Sequence, residues 1–342
     1  MGVAITELLT GKEISIGELQ GKILAVDAFN LLYQFLTTIR MRDGTPLKDS
    51  KGNVTGHLIG LFSRTTALMA EGLRLCFVFD GKPPKLKKRE RERRAAVKAQ
   101  ALQQYKAAEA NEDIAGMKKY AGRTAKLTGA MIDEAKELLA ALGLPVIQAP
   151  SEGEAQAAHL CKKGEAYAVV SQDADSFLFG APRVVKNLNL AGRRKKTSTL
   201  AYEKVSPALL TLEENLKALG LEHDQLIALA ILVGTDYDKE GIRGIGPKKA
   251  LKLVTEHGTD YDALFKAVEW NTHYPELDWK ILMDAFRNVP ATDDYALSWK
   301  APDEDALRKL LVDRHDFSGE RVTSTLAKLQ DTHRQKGLGE FL

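Results

Sequence analysis

The chain has 342 residues, and its 44% hydrophobic content is enough to build a sizeable buried core. Its 49 Lys and Arg nearly balance its 46 Asp and Glu, so the formal net charge of +3 does not by itself indicate a nucleic-acid partner. Two cysteines without metal-type spacing favour reduced core residues over a disulfide framework or a zinc site. No apolar run is long enough to cross a bilayer and no signal-peptide pattern is present, so we expect an intracellular protein without a membrane partner.

Short apolar runs alternate with helical patterns along the first half of the chain. Residues 22–26 (KILAV), 75–79 (LCFVF) and 167–171 (YAVVS) are predicted to be buried strands because they are short, apolar and rich in β-formers. A helix is predicted over 131–142, where a helical pattern ends at Gly143. This alternation predicts an α/β fold with a mostly parallel central sheet flanked by helices.

A long, highly charged helical segment follows the second predicted strand. Residues 86–120 are rich in Ala, Lys, Arg, Glu and Gln, which favour helix but leave little apolar stripe. Nine Lys or Arg against two Glu fall between residues 82 and 98, and residues 193–196 (RRKK) form a second basic cluster. Such clusters favour a polyanionic partner, although a solvated helix face is the simpler alternative.

A glycine-rich hairpin between two helices is predicted within residues 226–257. In GIGPKKA (244–250) the glycines permit a tight turn with exposed amides, and Pro247 suits the first helical turn. Because a helix N-terminus attracts phosphate, the segment suits binding to the backbone of DNA, with a purely structural hairpin as the alternative. A Walker A loop is excluded because Pro-Lys follows the last glycine. The residues assigned to backbone binding are Gly244, Gly246, Lys248 and Lys249.

Seven acidic residues stand where apolar runs end or just beyond them. They are Asp27, Asp80, Glu152, Glu154, Asp173, Asp175 and Asp236. Carboxylates at the C-terminal ends of parallel strands converge on one rim of the sheet. Packed together, they would repel one another and their pKa values would rise unless cations neutralised the cluster. Hard divalent ions such as Mg²⁺ prefer these oxygen ligands, so the pattern predicts a two-metal site that cleaves phosphodiester bonds.

Taken singly, several of these carboxylates have simpler explanations. Asp27 and Asp80 each suit a turn or a helix cap. Asp173 and Asp175 lie two residues apart in chain predicted to be extended, which would direct both side chains to one face and one cation. An Asx turn before Phe177 is equally compatible with that pair.

The two glutamates of SEGE (151–154) also have a structural explanation. With Ser151 as N-cap, Glu154 occupies the N3 position of a capping box that needs no metal. Residues two apart on a helix point in different directions. Both glutamates therefore face one site only if Glu152 lies at the very start of the helix or in the turn before it.

Three further side chains are candidates for contact with a nucleic acid. Lys87 and Arg94 lie seven residues apart, two turns along one face of the predicted charged helix. They suit the positions of cations that face a phosphate, with a solvated helix face as the alternative. Tyr33 lies six residues beyond Asp27 and could stack on a base, although a lone aromatic is more often part of a core.

The ordered set of motifs is more specific than any one of them. VDAFNLLYQFL, FVFDGKPPKLK, APSEGEAQAAHL, SQDADSFLFG and GTDYDKEGIRGIGPKKA follow Met1-Gly2 in this order. Together they closely resemble flap endonucleases of the XPG-like 5′-nuclease family, in their archaeal and eukaryotic form. The resemblance implies a single nuclease domain over 1–330, with a helical arch at 82–126, a helix–hairpin–helix element at 226–257 and a C-terminal tail at 331–342.

The resemblance also implies roles for the candidate residues. The seven carboxylates match the family's ligands for two Mg²⁺ ions, with Mn²⁺ as a substitute, and Lys87 and Arg94 match residues that steer the scissile phosphate. Tyr33 matches an aromatic that stacks near the cleaved nucleotide. Gly2 matches a glycine near the site once Met1 is removed, which favours this role over N-myristoylation of the same segment. Gly244 and Gly246 match the hairpin that holds duplex DNA, with K⁺ as an additional ion.

The C-terminus resembles a sliding-clamp-binding box. The residues that match it are Gln335, Leu338, Phe341 and Leu342. Leu342 replaces the second aromatic of the pattern and the usual basic tail is missing, so weaker clamp binding is expected. A frayed terminus is the alternative.

The implied activity is cleavage of branched DNA at the junction between a 5′ flap and the duplex, with 5′–3′ exonuclease activity, in lagging-strand maturation and repair. The protein is expected to act as a monomer, in the cytoplasm of a cell without a nucleus or in the nucleus of a eukaryote. Two alternatives remain at this point: a related 5′ nuclease that prefers gaps or free ends, and a non-catalytic adaptor that binds DNA and the clamp.

Overall fold

The structure is a computed structural model that describes residues 4–188, 194–195, 202–203, 205–238 and 240–339. Side chains are described from residue 5 to residue 329, apart from 194–195 and 202–203. Within these residues, no helix is long and apolar enough to cross a membrane.

A seven-stranded sheet forms the centre of the fold, and two further strands of the described chain form a separate ribbon. The strands are β1 Lys12–Glu13, β2 Ile23–Asp27, β3 Arg74–Phe79, β4 Val146–Gln148, β5 Ala168–Val170, β6 Arg183–Lys186, β7 Arg194–Lys195, β8 Tyr202–Glu203 and β9 Ala208–Thr211. The order in the sheet is β1-β9-β6-β5-β2-β3-β4, and β7 pairs with β8 in a separate ribbon. The five strands from β6 to β4 run parallel, whereas β9 pairs antiparallel with both β6 and β1. The predicted mostly parallel sheet is confirmed, and each of its three predicted strands overlaps an observed one.

Helices cover both faces of the sheet. They are α1 Ala28–Thr38, α2 Gly56–Ala70, α3 Lys88–Ala110, α4 Ile114–Ala121, α5 Gly129–Ala141, α6 Gly153–Lys162, α7 Leu212–Leu219, α8 His223–Val233, α9 Pro247–His257, α10 Tyr261–Ala267, α11 Trp270–His273, α12 Trp279–Arg287, α13 Glu304–Arg308 and α14 Gly319–Gly339. A π-helical segment, Lys309–Arg314, follows α13 directly and leads toward α14. The predicted charged segment forms α3 and α4, which pack against each other, and the predicted hairpin lies between α8 and α9.

The strands separate two apolar cores because successive side chains point to opposite faces. Leu24 and Val26 of β2 pack with residues of α1, α2 and α5. Ala25, between them, packs on the other face with residues of α6 and α8. Both faces of β2 are therefore buried, which explains why its sequence is continuously apolar.

The direction in which the sheet grows reverses beside β2. From β2 the chain passes to β3 and then β4 on one side, and later returns to add β5 and β6 on the other side. In open α/β sheets, a crevice forms at the carboxyl ends of the strands where this reversal occurs. The C-terminal ends of β2, β3 and β5 consequently define the place to look for a site.

The last described helix extends past the predicted start of the C-terminal tail. The helical backbone of α14 crosses residue 331 and continues to Gly339. Val322 and Leu326, earlier in α14, are buried in the core that contains α2. The helix is therefore anchored at its start, and the boundary of the tail at residue 331 stays a prediction.

Candidate active site

Asp27 lies at the centre of the sheet's carboxyl edge. It is the last residue of β2 and also the N-cap of α1, and its Oδ1 accepts a hydrogen bond of 3.1 Å from the backbone N–H of Asn30. The residue is only 6% exposed. The expected capping role of Asp27 is therefore real, and it places the carboxylate at the carboxyl end of β2.

Asp80 follows the neighbouring strand β3 and is held against the start of α6. Its Oδ1 accepts a hydrogen bond of 2.7 Å from the N–H of Gly153. Close packing of two loops maintains this contact, because Gly81 N–H donates to Ser151 O at 2.7 Å. A Cβ at Gly81 would lie 2.1 Å from the carbonyl oxygen of Ala149, so only glycine permits the approach.

The capping box predicted for Ser151 and Glu154 is not formed. The helix begins at Gly153 with Glu152 as its N-cap, and the Glu152 side chain makes no capping hydrogen bond. Glu154 Oε1 instead accepts hydrogen bonds from Ser171 Oγ at 3.1 Å and Ser176 Oγ at 3.3 Å. Glu152 thus occupies the start of the helix, which is the condition under which both glutamates can face one site.

The chain that carries Asp173 and Asp175 is bent, not extended. A bend covers residues 172–174, and Asp175 begins a 3-10 turn, Asp175–Phe177. Asp173 Oδ2 accepts a hydrogen bond of 3.0 Å from Asn30 Nδ2, which ties it to α1 beside Asp27. The expectation of an extended pair was therefore wrong, yet the turn still directs both carboxylates toward Glu154, whose pKa they raise.

Asp236 completes the cluster together with two cations from the charged helical segment. Lys87 Nζ forms an ion pair with Glu152 and lies 3.6 Å from Asp236 Oδ2. Arg94 donates from one terminal nitrogen to Asp236 Oδ1 at 2.5 Å. The fold therefore brings the two predicted cations into contact with two of the predicted carboxylates, Glu152 and Asp236.

The electrostatics reflect an excess of negative charge at the sheet edge. Burial, followed by the charge of Asp80, raises the pKa of Asp27 to about 7, and burial followed by the charge of Glu152 raises the pKa of Asp80 to about 6. The pKa of Glu154 is raised well above its ordinary value by burial and then by Asp175 and Asp27. For Lys87, burial lowers the pKa of the ammonium, but the charges of Glu152 and Asp236 outweigh it and raise the pKa.

The donor set fits a hard divalent metal, although it is not arranged as a finished chelate. Seven carboxylates supply the oxygen ligands that Mg²⁺ prefers. The raised pKa values of three of them, Asp27, Asp80 and Glu154, show that positive charge would stabilise their ionised forms. Among the described residues, no three His, Cys, Asp or Glu side chains are placed to hold a metal ion as they stand. Lys87 and Arg94 instead neutralise part of the charge.

The other predicted binding residues lie on surfaces beyond this cluster. Tyr33, on α1, is half-buried, and Lys98 of α3 places its Nζ 4.7 Å from the centre of the ring. The hairpin before α9 is exposed, with Gly244 at a φ of +82° and Gly246 as the N-cap. Its lysines, Lys248 and Lys249, are also exposed.

Some predicted residues fall where the structure gives no description. Gly2 and the side chains of the predicted clamp-binding residues, Gln335, Leu338, Phe341 and Leu342, lie outside it. The basic cluster at 193–196 lies largely outside it as well.

Several residues of the site were not predicted from the sequence. Asn30, Ser171 and Ser176 hold carboxylates by hydrogen bonds, and Glu90 of α3 pairs with Arg94. Asn30, Ser171 and Ser176 lie inside the quoted motifs, and nearness in sequence to the acidic residues was the only indication of their role. For Glu90 the indication was clearer, because a Glu four residues before an Arg on a helix can form an ion pair with it.

Comparison with known proteins agrees with this geometry. The family model of the XPG N-terminal domain matches residues 3–101, and that of the XPG I-region matches residues 143–236. A protein from Pyrococcus abyssi named Flap endonuclease 1 is 50% identical over 330 residues, which are 96% of this chain and 94% of that protein. The protein of that name from Thermofilum pendens is 48% identical over 332 residues, covering 96% of this chain and 95% of its own.

Solved structures give the same result for the fold. The flap endonuclease-1 of Methanococcus jannaschii superposes with a TM-score of 0.75 at 40% identity, covering 98% of this chain and 100% of that one. The catalytic core of Rad2 in complex with a DNA substrate superposes with a TM-score of 0.70 at 25% identity, covering 96% and 100%. On this identity and coverage, the chain belongs to the flap endonuclease 1 family of XPG nucleases.

Proposed function

We propose that the protein is a structure-specific endonuclease that cuts a DNA phosphodiester bond where a 5′ flap meets the duplex. The observation that carries this proposal is the convergence of seven carboxylates and two cations at the sheet edge, beside the start of the basic helix α3. The relatives named Flap endonuclease 1 and the Rad2 core bound to DNA support the substrate class. The proposal includes 5′–3′ exonuclease activity and roles in lagging-strand maturation and repair.

The carboxylate cluster is the proposed binding site for two Mg²⁺ ions, with Mn²⁺ as a substitute. The residues that would hold them are Asp27, Asp80, Glu152, Glu154, Asp173, Asp175 and Asp236. When bound, the ions would activate the attacking water and neutralise charge on the phosphate and the leaving oxygen. The chain orients these ligands through the hydrogen bonds from Asn30, Gly153, Ser171 and Ser176.

Lys87 and Arg94 are proposed to steer the scissile phosphate. Both now neutralise Glu152 and Asp236, which are themselves proposed metal ligands. Ions held by those carboxylates would compete with the two cations and so would leave Lys87 and Arg94 available to a new anion at the same place. A phosphodiester positioned there would receive their charge as negative charge accumulates on its oxygens in the transition state.

Recognition of the substrate is proposed to depend on shape and not on base sequence. The exposed hairpin presents Gly244, Gly246, Lys248 and Lys249 to the duplex backbone, in a conformation that suits phosphate and an accompanying K⁺ ion. Tyr33 would stack on a base near the cleaved bond, and Gly2 would lie close to the site. The segment 82–126 would arch over the 5′ single strand.

The protein is further proposed to act as a monomer that docks on a sliding clamp. Leu338, Phe341 and Leu342 would supply the apolar contacts and Gln335 a polar one, as the matching pattern implies. Replacing Phe341 with Ala should abolish stimulation by the clamp and leave cleavage without the clamp unchanged. Equal stimulation of both proteins would remove the tail from the proposal.

The decisive experiment compares an end-labelled double-flap DNA with the same flap strand unpaired, both with Mg²⁺ and with EDTA. A single cut near the junction, absent with EDTA and absent on the lone strand, is expected. Equal cutting of both DNAs would indicate a general 5′ nuclease. Binding of the flap without any cut would indicate a non-catalytic adaptor and refute the proposal.

A further inference from the structure

Helix α3 carries a buried carboxylate on an otherwise exposed surface. Among its residues, only Glu90, Ala101 and Ala108 are buried, and Glu90 is the one that is charged. Its side chain is 5% exposed. A carboxylate taken out of water in this way is costly unless it is paired and hydrogen-bonded, so the position calls for a specific partner.

Two arginines, one turn further along the helix, supply that pairing. Arg93 approaches in a fork, with its Nε 2.6 Å from Glu90 Oε2 and a terminal nitrogen 3.0 Å from Oε1. Arg94 donates from Nε to the same Oε1 at 2.7 Å. Glu90 therefore holds both guanidinium groups through charge-assisted hydrogen bonds, which are the strong class of hydrogen bond.

The contact with Arg94 bears directly on the proposed site. The Arg94 side chain is 41% exposed and has two fixed points, Nε on Glu90 and a terminal nitrogen on Asp236. Asp236 is a proposed metal ligand, so an ion held there would compete with Arg94 for its carboxylate. Glu90 would then be the remaining fixed point, and it engages Nε while leaving the terminal nitrogen that contacts Asp236 directed at the site.

We propose that Glu90 is a positioning residue for the cleavage reaction, which holds the guanidinium group of Arg94 on the scissile phosphate. This proposal rests on the proposed function and adds to it a residue that does not itself touch the substrate. Without the anchor, the long Arg94 side chain would sample many rotamers, and each productive encounter would have to restrict it again.

Simple electrostatic repulsion predicts faster cleavage when Glu90 is neutralised, whereas the proposed positioning role predicts slower cleavage. The direction of the change therefore distinguishes the two. A carboxylate close to a phosphate repels it, so neutralising Glu90 without any other consequence should strengthen DNA binding and speed cleavage. If Glu90 instead positions Arg94, neutralising it should slow cleavage. A change of about 10- to 100-fold is expected from the loss of hydrogen bonds to a charged group.

The test is a double-mutant cycle on single-turnover cleavage of double-flap DNA. Glu90→Gln keeps the shape of the side chain, and its matched control is Glu92→Gln, on the same helix with a side chain that is 66% exposed and pairs only weakly with Lys88 at 4.0 Å. We expect the Glu90 variant to slow cleavage in the wild-type background, to have almost no effect in an Arg94→Ala background, and to bind the flap within about threefold of wild type.

Four results would overturn the proposal. Three of them are faster cleavage by Glu90→Gln, an equal loss in the Arg94→Ala background, and coupling to Arg93→Ala in place of Arg94→Ala. Circular dichroism melts show whether the variant is folded, and a folded Glu90→Gln with wild-type rates would also refute it. If wild-type protein fails to cut the flap in the same assay, it is the proposed function that fails, and not the assignment of Glu90.

Discussion

Binding of divalent metal to the DNA-free protein should release protons. The carboxylates proposed as ligands are partly protonated in the metal-free site because burial and mutual repulsion raise the pKa values of Asp27 to about 7 and of Asp80 to about 6. A metal ion binds the ionised form, so protons must leave as it enters. The number released is therefore a measure of how closely the carboxylates are packed, and it does not depend on catalysis.

The magnitude follows from the pKa values and the working pH. At pH 7, roughly half a proton resides on Asp27 and about one tenth on Asp80, with a further contribution from Glu154, whose pKa is also raised. The pair alone should then release at least about 0.6 proton per molecule at pH 7 and about 1.4 at pH 6. At pH 8.5 the release from this pair should fall below about 0.1.

Isothermal titration of Mg²⁺ or Ca²⁺ into the protein, in two buffers of different ionisation enthalpy, counts these protons. Replacing Asp27 with Asn should reduce the count at pH 7 by about half a proton, whereas Glu92→Gln on the exposed face of α3 should leave it unchanged. Metal binding with no proton release at pH 6 to 7, or with a release that does not vary with pH, would refute the picture of a crowded carboxylate site.

Three further predictions address the site and the surrounding fold. Asp173→Asn should abolish cleavage while keeping flap binding within about threefold, and activity restored by high Mg²⁺ would contradict its role as a ligand. Lys87→Ala should slow single-turnover cleavage by about 10²- to 10³-fold with little change in flap affinity, whereas Lys88→Ala, whose side chain is 78% exposed, should not. Asp49→Asn should lower the melting temperature at pH 7. Although burial opposes ionisation, hydrogen bonds to the carboxylate from Asn53 and then from His315, whose Nδ1 lies 3.0 Å from Oδ2, lower the pKa of Asp49 to about 2. Because the folded-state pKa lies below the unfolded one, this stabilisation is present above about pH 4 and is lost as the pH falls toward 2, where melts of the two proteins should converge.

The central strands were predictable because burial on both faces leaves a simple trace in the sequence. In β2, Leu24, Ala25 and Val26 are all buried, so the run is continuously apolar, and the next residue, Asp27, marks where the strand meets the crevice. The position of Asp27 at the rim of the sheet follows from its place directly after this apolar run. The parallel order of the strands then brings Asp80 beside it without any further information from the sequence.

Local turn geometry was less predictable, because short-range rules compete with long-range contacts. The capping box of Ser151 and Glu154 satisfied a local rule, but Glu154 gained hydrogen bonds from Ser171 and Ser176, which are distant in sequence. The start of α6 was fixed instead by Gly153 donating to Asp80. Such contacts depend on the assembled sheet, and no pattern within the motif itself encodes them.

Composition alone does not explain how the charged helix α3 is held in place. A helix such as α3, with almost no apolar stripe, gains little from packing, so its base must be held by something else. Lys87 and Arg94 provide this by pairing with Glu152 and Asp236. Divalent ions or a phosphate would compete for the same charges. A ligand bound at the site would therefore also weaken or strengthen the ion pairs that hold the start of α3. The start of α3 and the carboxylate cluster are therefore coupled through ion pairs, and a chain that lacked either set of charges would lose that coupling.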